Sequence, residues 1–397
     1  MTEFAASERL QALKPKFFAQ QAKKIKALKE KGLDVINLGR GNPDQPTFPE
    51  IVSILHQASK ETANQGYPPY GGKQKLKQAI ADFYKKNYQV DLDPDTEIAI
   101  FNGSIVALTA ISLALLNPGD TALVPDPAFG GYEIGVTMAG AHAASLPLLE
   151  ENDFLPDYTH VPQDVSEKAK LLFLNYPNNP TGASANAAFF EKTVDYAKQN
   201  NLAVVHDFAY GDIGFEEEAP RSFLQTPGAK DAGIEIYTFS KTFNMAGWRV
   251  AFAAGNASLI KHLNHYLVNN VGGVFGAVQD AAAFALGTQE RQRAQLRALY
   301  QSRRDYLIEE LTALGYQVYP AKGTFFLWVR VPQGFSATQY SENLLDNLGI
   351  AVVPGTAYGS SGESYFRVSL VVPQSRLRAA VERIKQNQLK IRGDITR

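Results

Sequence analysis

Between about residues 97 and 255 the chain alternates short, continuous apolar runs, at 98–101, 122–124, 171–174, 203–205, 234–237 and 250–253, with longer segments of helical period. A strand buried on both faces reads as a continuous apolar run, and strands that alternate with helices build parallel sheets. The pattern therefore predicts an α/β domain around a mostly parallel, doubly covered sheet. In such sheets ligands bind beyond the carboxyl ends of the strands. Upstream, Phe17, Phe18, Gln21, Ile25 and Leu28 have helical spacing, with a lysine-rich outer face and a stop at Gly32, which predicts a lead-in helix. A second helical pattern runs from about 73 to 88 and closes in the turn formers of 91–95. Beyond Gly255 come three helical stretches. The longest, from about 288 to 314, sets Leu296, Leu299, Arg303, Leu307 and Leu311 on one side before Gly315. The tail alternates differently: strand patterns at 324–331, 351–353 and 365–371, a helix near 337–348 and a last helix from Gln374. This predicts a small α+β domain.

Composition bounds what such a chain does. With 397 residues and 45% hydrophobic content it exceeds what one core usually holds, about 250–300 residues, so two domains are expected. Lys+Arg of 39 against Asp+Glu of 40 leave a net charge of −1, so no global field attracts nucleic acid or an anionic membrane. Any anion must be bound locally. The lack of cysteine excludes disulfides, thiolate metal sites and cysteine nucleophiles, and no metal centre is expected. The first ten residues lack a basic stretch followed by an apolar core, so secretion is not expected. Apolar runs such as 113–116 fall far short of the roughly 20 residues of a membrane span. A soluble, cytoplasmic enzyme is the expectation.

Five polar clusters each follow an apolar run. Residues 238–249, TFSKTFNMAGWR, place Lys241 in a tight polar turn with Arg249 eight residues on. A lysine amine can form a Schiff base with an aldehyde, and hydroxyls with an arginine suit a phosphate. The competing reading is a surface lysine at a strand end. Asn102, Gly103, Ser104 and Ile105 open a helix, and free N–H groups, a glycine and a hydroxyl there suit a phosphate, although Ser104 as a simple N-cap explains the same residues. Phe129 and Tyr132 lie beside glycines and Pro127, where one ring can stack on a flat heteroaromatic group or both can be core. Prolines flank Asn179 in the stretch NYPNNPTG at 175–182, and Pro180 biases it toward extended backbone, holding its amide at a strand end. Asp207, after the intensely apolar 202–205, needs a cation if buried: a pyridinium, or one of the chain's own Arg or Lys residues. His206 points the other way in a strand. Arg367 alternates with apolar neighbours in the last strand, and can clamp a carboxylate through two parallel hydrogen bonds or join a structural ion pair.

In type, order and spacing these clusters resemble those of the class I/II aminotransferases, pyridoxal-phosphate enzymes of fold type I, over essentially the whole chain. The resemblance implies a large domain at 46–287 with a mostly parallel seven-stranded sheet, a small C-terminal α+β domain at 288–397, and an N-terminal segment, 1–45, that contributes to the small domain and to a dimer. It implies that Lys241 carries the cofactor and is catalytic. Asp207 would face the pyridine nitrogen, and Asn179 and Tyr210 the ring O3′. Ser104, the Ile105 backbone, Thr238 and Arg249 would hold the phosphate, with Phe129 stacked on the ring. Tyr67 would reach the phosphate of a neighbouring subunit, which implies a homodimer with active sites at the interface. Gly41, Asn179 and Arg367 would contact the substrate carboxylate. Thr238 stands where serine is usual, Phe129 where tyrosine is common and Ala251 where glycine is common; Thr238 keeps a hydroxyl and Phe129 a stacking face.

The implied reaction moves the amino group of an L-amino acid to a 2-oxo acid by a ping-pong route. Residues 38–46, 207–210 and 240–249 look like those of the bacillus-type methionine-salvage aminotransferases, which convert 4-methylthio-2-oxobutanoate to methionine. Ile105, where some relatives carry lysine, and the Phe17–Phe18 pair favour an uncharged or aromatic side chain. Aspartate and diaminopimelate aminotransferases share most of the motifs, and a carbon–sulfur β-lyase would share nearly every cofactor residue. A transcription-regulator sensor domain would need a DNA-binding domain that the few residues before Phe17 cannot encode.

Overall fold

The computed structural model describes residues 2, 4–13, 17–216 and 219–393. The parts of the expected terminal segments at 1, 3, 14–16 and 394–397 lie outside the described residues. Strand β1 (Ile36–Asn37) precedes a seven-stranded sheet made of β2 (Ile98–Phe101), β3 (Thr121–Asp126), β4 (His142–Pro147), β5 (Ala169–Leu174), β6 (Ala203–Asp207), β7 (Gly233–Thr238) and β8 (Ala251–Gly255). Their spatial order is β2-β8-β7-β6-β5-β3-β4. Only β8 runs antiparallel to its neighbours. The link from β7 to β8 holds just the four-residue helix Phe239–Thr242 and a 3-10 turn, too compact for the crossover that parallel pairing requires. That compact reversal is where Lys241 sits.

Successive residues of a strand face opposite sides of the sheet, and here they enter two cores. Ile98 and Ile100 join one apolar cluster, Ala99 and Phe101 the other; Leu172 and Val204 divide in the same way from Leu171 and Val205. This double burial is why the central strands read as unbroken apolar runs. The edge strand β4, HAASLP, does not read as an apolar run. It pairs on one side only and is mostly exposed apart from Leu146, so burial places no apolar demand on it.

The first cluster continues through Leu296, Tyr300, Leu307 and Leu311 of the helix Glu290–Ala313 to Leu327, Val329 and Val368. These last belong to a three-stranded antiparallel sheet, β11 (Val353–Pro354), β12 (Tyr365–Ser369) and β9 (Phe326–Arg330), in that order. The short β10 (Ile350–Ala351) pairs in parallel with β1, so the chain preceding the large sheet returns to the C-terminal part. The lead-in helix spans Phe17–Glu30, and Gln74–Tyr88 ends on Gln89 in the left-handed region. Ala337–Leu348 starts with a reciprocal capping box between Ser336 and Gln339 and ends on Gly349 at φ 65°. No helix among the described residues is long and apolar enough to cross a membrane.

Candidate active site

Every polar cluster lies at the carboxyl end of a parallel strand: Asn102–Ser104 after β2, the Phe129 turn after β3, Asn175–Gly182 after β5, Asp207 at the end of β6 and Lys241 after β7. The one arginine that comes from elsewhere is Arg367 on β12.

Lys241 is not a solvated strand-end lysine. Thr238 caps its short helix, Oγ1 accepting from the Ser240 N–H at 3.2 Å and donating to Ser240 Oγ at 2.9 Å. Lys241 Nζ then donates to the Gly41 carbonyl at 2.6 Å and lies 5.4 Å from the Phe325 ring centre. Burial, and next the Arg367 guanidinium, push the amine down to about 8; Asp207 opposes the shift and Arg249 adds to it. A lysine so placed supplies free amine near neutral pH.

Asp207 is buried and has hydrogen-bond donors but no cation. Tyr132 Oη donates to Oδ2 at 2.8 Å and the Ala209 N–H to Oδ1 at 3.2 Å. None of the chain's own Lys or Arg residues pairs with it among the described residues. Burial pushes its carboxyl up, held back first by Tyr132 and then by His206, Ala209 and Lys241. His206 does face the other side, where Nδ1 lies 2.8 Å from Glu235 Oε1. A buried carboxylate without a counter-ion fits a protonated ring nitrogen brought by a ligand. Tyr132, which by sequence is a ring to stack or a core aromatic, is fully buried in the core and donates to Asp207. Phe129 precedes the helix Gly131–Met138 that carries Tyr132, so the turn after β3 brings both to this site. Phe129 is half-buried and meets Tyr132 edge-on at 5.8 Å.

Arg367 is 2% exposed and pairs with no carboxylate among the described residues. Nη1 donates to Asn179 Oδ1 at 2.8 Å and Nη2 to the Gly39 carbonyl at 3.0 Å. The guanidinium lies 3.7 Å from the Phe326 ring centre, and Nε is buried without a partner. The structural ion pair considered from sequence is thus absent, and the free donors suit an anion. Tyr210 is buried edge-on to the rings of Phe325 and Phe326, at 5.4 and 5.9 Å, and burial pushes its phenol well up. These two phenylalanines, which were not singled out from sequence, join the surroundings of Lys241, Tyr210 and Arg367.

Asn175 ties the two charged groups together. Its Nδ2 donates to the Asp207 carbonyl at 2.7 Å, its Oδ1 accepts the Asn179 N–H at 2.8 Å, and Asn179 meets Arg367. It opens the same eight-residue stretch as Asn179, yet only Asn179 stands out from sequence, because only it is locked by a following proline.

The helix expected from Ile105 begins one residue earlier, at Ser104, and its N-cap is Gly103 at φ 95° with no side-chain cap. Ser104 is therefore not an N-cap, and its hydroxyl has no partner among the described residues. A Cβ on Gly103 would lie 2.3 Å from Arg249 Nη2, so the guanidinium packs against the Gly103 backbone at the helix start. Together with the Ser104 hydroxyl and the half-buried Ile105, this forms a cradle of donors that suits a phosphate. Arg249 itself has φ 55° and also donates to the Ala246 carbonyl at 2.9 Å. Tyr67 stands apart from all these contacts: it is fully exposed and makes no hydrogen bond among the described residues.

Residues 33–384 match the family described as Aminotransferase class I and II. Over 382 residues, 96% of each chain, the protein is 47% identical to the L-glutamine–4-(methylsulfanyl)-2-oxobutanoate aminotransferase of Bacillus subtilis (strain 168). It is 44% identical to the LL-diaminopimelate aminotransferase of Aquifex aeolicus over 97% of this chain and 100% of that one. The substrate-bound structure of BacF from Bacillus subtilis superposes with a TM-score of 0.94 at 42% identity, covering 97% of this chain and 98% of that one.

Proposed function

The chain belongs to the class I and II aminotransferases, which use pyridoxal phosphate, and from that premise we propose that it exchanges amino groups between uncharged L-amino acids and 2-oxo acids, with methionine and 4-(methylsulfanyl)-2-oxobutanoate as one pair. The observation that carries the reading is the relay Asp207–Asn175–Asn179–Arg367. It links a buried anion without a cation to a buried cation without an anion. A molecule with a protonated ring nitrogen at one end and a substrate carboxylate at the other would satisfy both charges.

When bound, pyridoxal phosphate supplies an aldehyde that condenses with an amino group and a ring that accepts electrons. Asp207, steadied by Tyr132, would keep the ring nitrogen protonated. Ser104, the Ile105 backbone, Thr238 and Arg249 would hold the phosphate, Phe129 would stack on the ring, and Asn179 and Tyr210 would hydrogen-bond O3′. Arg367, Asn179 and Gly41 orient the substrate by its carboxylate. Lys241 Nζ, held near neutral pH as a partly free amine, takes the Cα proton of the amino acid and keeps it in the site.

The assembly that completes the site is a homodimer. Support comes from Tyr67, whose full exposure beside the exposed Tyr70 leaves it free to reach a second copy's phosphate. The division at 46–287 and 288–397, with 1–45 joining the smaller part, is supported by the β1–β10 pairing. A cytoplasmic location suits a cysteine-free chain of this kind.

Ile105 and the aromatic surroundings of Arg367, namely Phe18, Phe326 and Tyr358, favour an apolar or thioether side chain over a carboxylate. In an amino-donor panel with 2-oxoglutarate and 4-(methylsulfanyl)-2-oxobutanoate as acceptors, methionine or glutamine should exceed aspartate in kcat/KM by about tenfold or more, the range that pocket contacts supply. Preference for aspartate or LL-diaminopimelate would overturn the substrate reading. Pyruvate and thiol from a cysteine thioether would mark a β-lyase instead.

A further inference from the structure

Two cationic side chains of the site, Arg367 and Lys241, are held by carbonyls of one segment. Gly39 O accepts from Arg367 and, two residues on, Gly41 O accepts from Lys241. Residues 39–47 contain no helix or strand; backbone bonds of Leu38 to Ala351 and Ser369 hold the Gly39 end, and beyond it side chains anchor the segment. At the Lys241 end the anchor is reciprocal: Thr47 Oγ1 donates to the Asn244 carbonyl at 2.8 Å, and Asn244 Nδ2 to the Pro46 carbonyl at 3.3 Å. In the middle it is an ion pair. Arg303 donates to Asp44 through both arms at 2.9 Å, and through Nη1 also to the Leu370 carbonyl at 2.9 Å. The two side chains are 4% and 13% exposed, and Arg303 belongs to the long helix Glu290–Ala313. A fork-to-carboxylate pair of this kind fixes orientation as well as distance.

We propose that Asp44 and Arg303 are a positioning pair for the reaction: they fix the 39–47 strap on the long helix, so that its two carbonyls set Lys241 and Arg367 in register with each other. This rests on the reading of those two residues given above. The pair touches neither reacting atom; Asp44 acts through the strap, and Arg303 also holds the Leu370 carbonyl just beyond β12.

Asp44→Asn removes the charge and keeps the shape; Arg303→Lys keeps the charge and removes the fork. In the cofactor-loaded enzyme each should raise KM for both the amino acid and the oxo acid by about tenfold, since small misplacements of binding groups have effects of this order. Each should also weaken binding of hexanoate, a monocarboxylate with no amino group, by a similar factor. Asp212→Asn is the control. It breaks pairs with Arg293, similarly buried (15% and 6% exposed), and Arg297, neither of which involves a residue of the strap, and should lower Tm without moving KM or hexanoate affinity. The proposal is overturned if the Asp44 and Arg303 variants behave as this control does. If Asp44→Asn does not fold, Arg303→Lys carries the same comparison. Arg367→Gln, measured alongside, separates the two levels: if it retains hexanoate affinity, the reading of the site fails, whereas if it loses affinity and the strap variants do not, the strap proposal alone fails.

Discussion

Asp207→Asn is expected to lower kcat/KM by two to nearly four orders of magnitude while the protein still folds. Removing one partner of a buried charge pair costs about 3–5 kcal/mol, and each ~1.4 kcal/mol is tenfold in rate. An asparagine retains an acceptor for Tyr132 or Ala209, so local packing survives, but an amide cannot hold a proton on a ring nitrogen by charge. The cofactor-free protein should respond in the opposite sense. Burial raises the Asp207 carboxyl above its usual value, so over that window the folded chain binds a proton that the unfolded chain has lost. Stability contributed by this group therefore falls as pH rises through the window. Thermal melts of cofactor-free Asp207→Asn should lose that decline and match or exceed wild type at neutral pH. A destabilised cofactor-free variant with near-normal kcat/KM would contradict the role of Asp207 as the anion awaiting a ligand cation.

Lys241→Ala should be the most damaging single change, lowering kcat by about four orders of magnitude or more, because it removes both a proton-transfer group, worth about 10²–10⁴, and the attachment point. Wild-type Lys241 should also show its environment in the pH dependence of loading. With the amine held to about 8, the rate at which cofactor-free protein takes up pyridoxal phosphate should climb with pH and level off near 8. An ordinary solvated lysine would keep climbing past 10. Stopped-flow absorbance from pH 6 to 10 measures this directly, and a rate still rising at pH 10 would refute the assigned environment.

How far the sequence reveals this protein depends on whether a residue's role is local or set by packing. The central strands are legible because burial on both faces demands unbroken apolar residues, and β4 is not, since its exposed edge makes no such demand. Asp207 and Arg367 can be picked out as charges in apolar strands, yet their sequence leaves open whether each has an internal counter-ion. Only the packing shows that neither does among the described residues. Tyr132, Asn175 and Phe326 act across elements distant in sequence, and Asp44 meets Arg303 some 260 positions away, a separation that no local pattern encodes. Ser104 shows a third case. Its hydroxyl fits either a cap or a ligand site by type, and the choice falls to the backbone of Gly103, whose left-handed conformation shifts the cap by one residue.

The central claim is that Lys241, and no other lysine, carries the cofactor. Reduction of the loaded enzyme with borohydride, followed by proteolysis and mass spectrometry, tests it most directly. A single pyridoxyl phosphate adduct on the peptide containing Lys241, absent from Lys241→Ala, is the predicted result; an adduct on a different lysine, or an undiminished one in the variant, would contradict it.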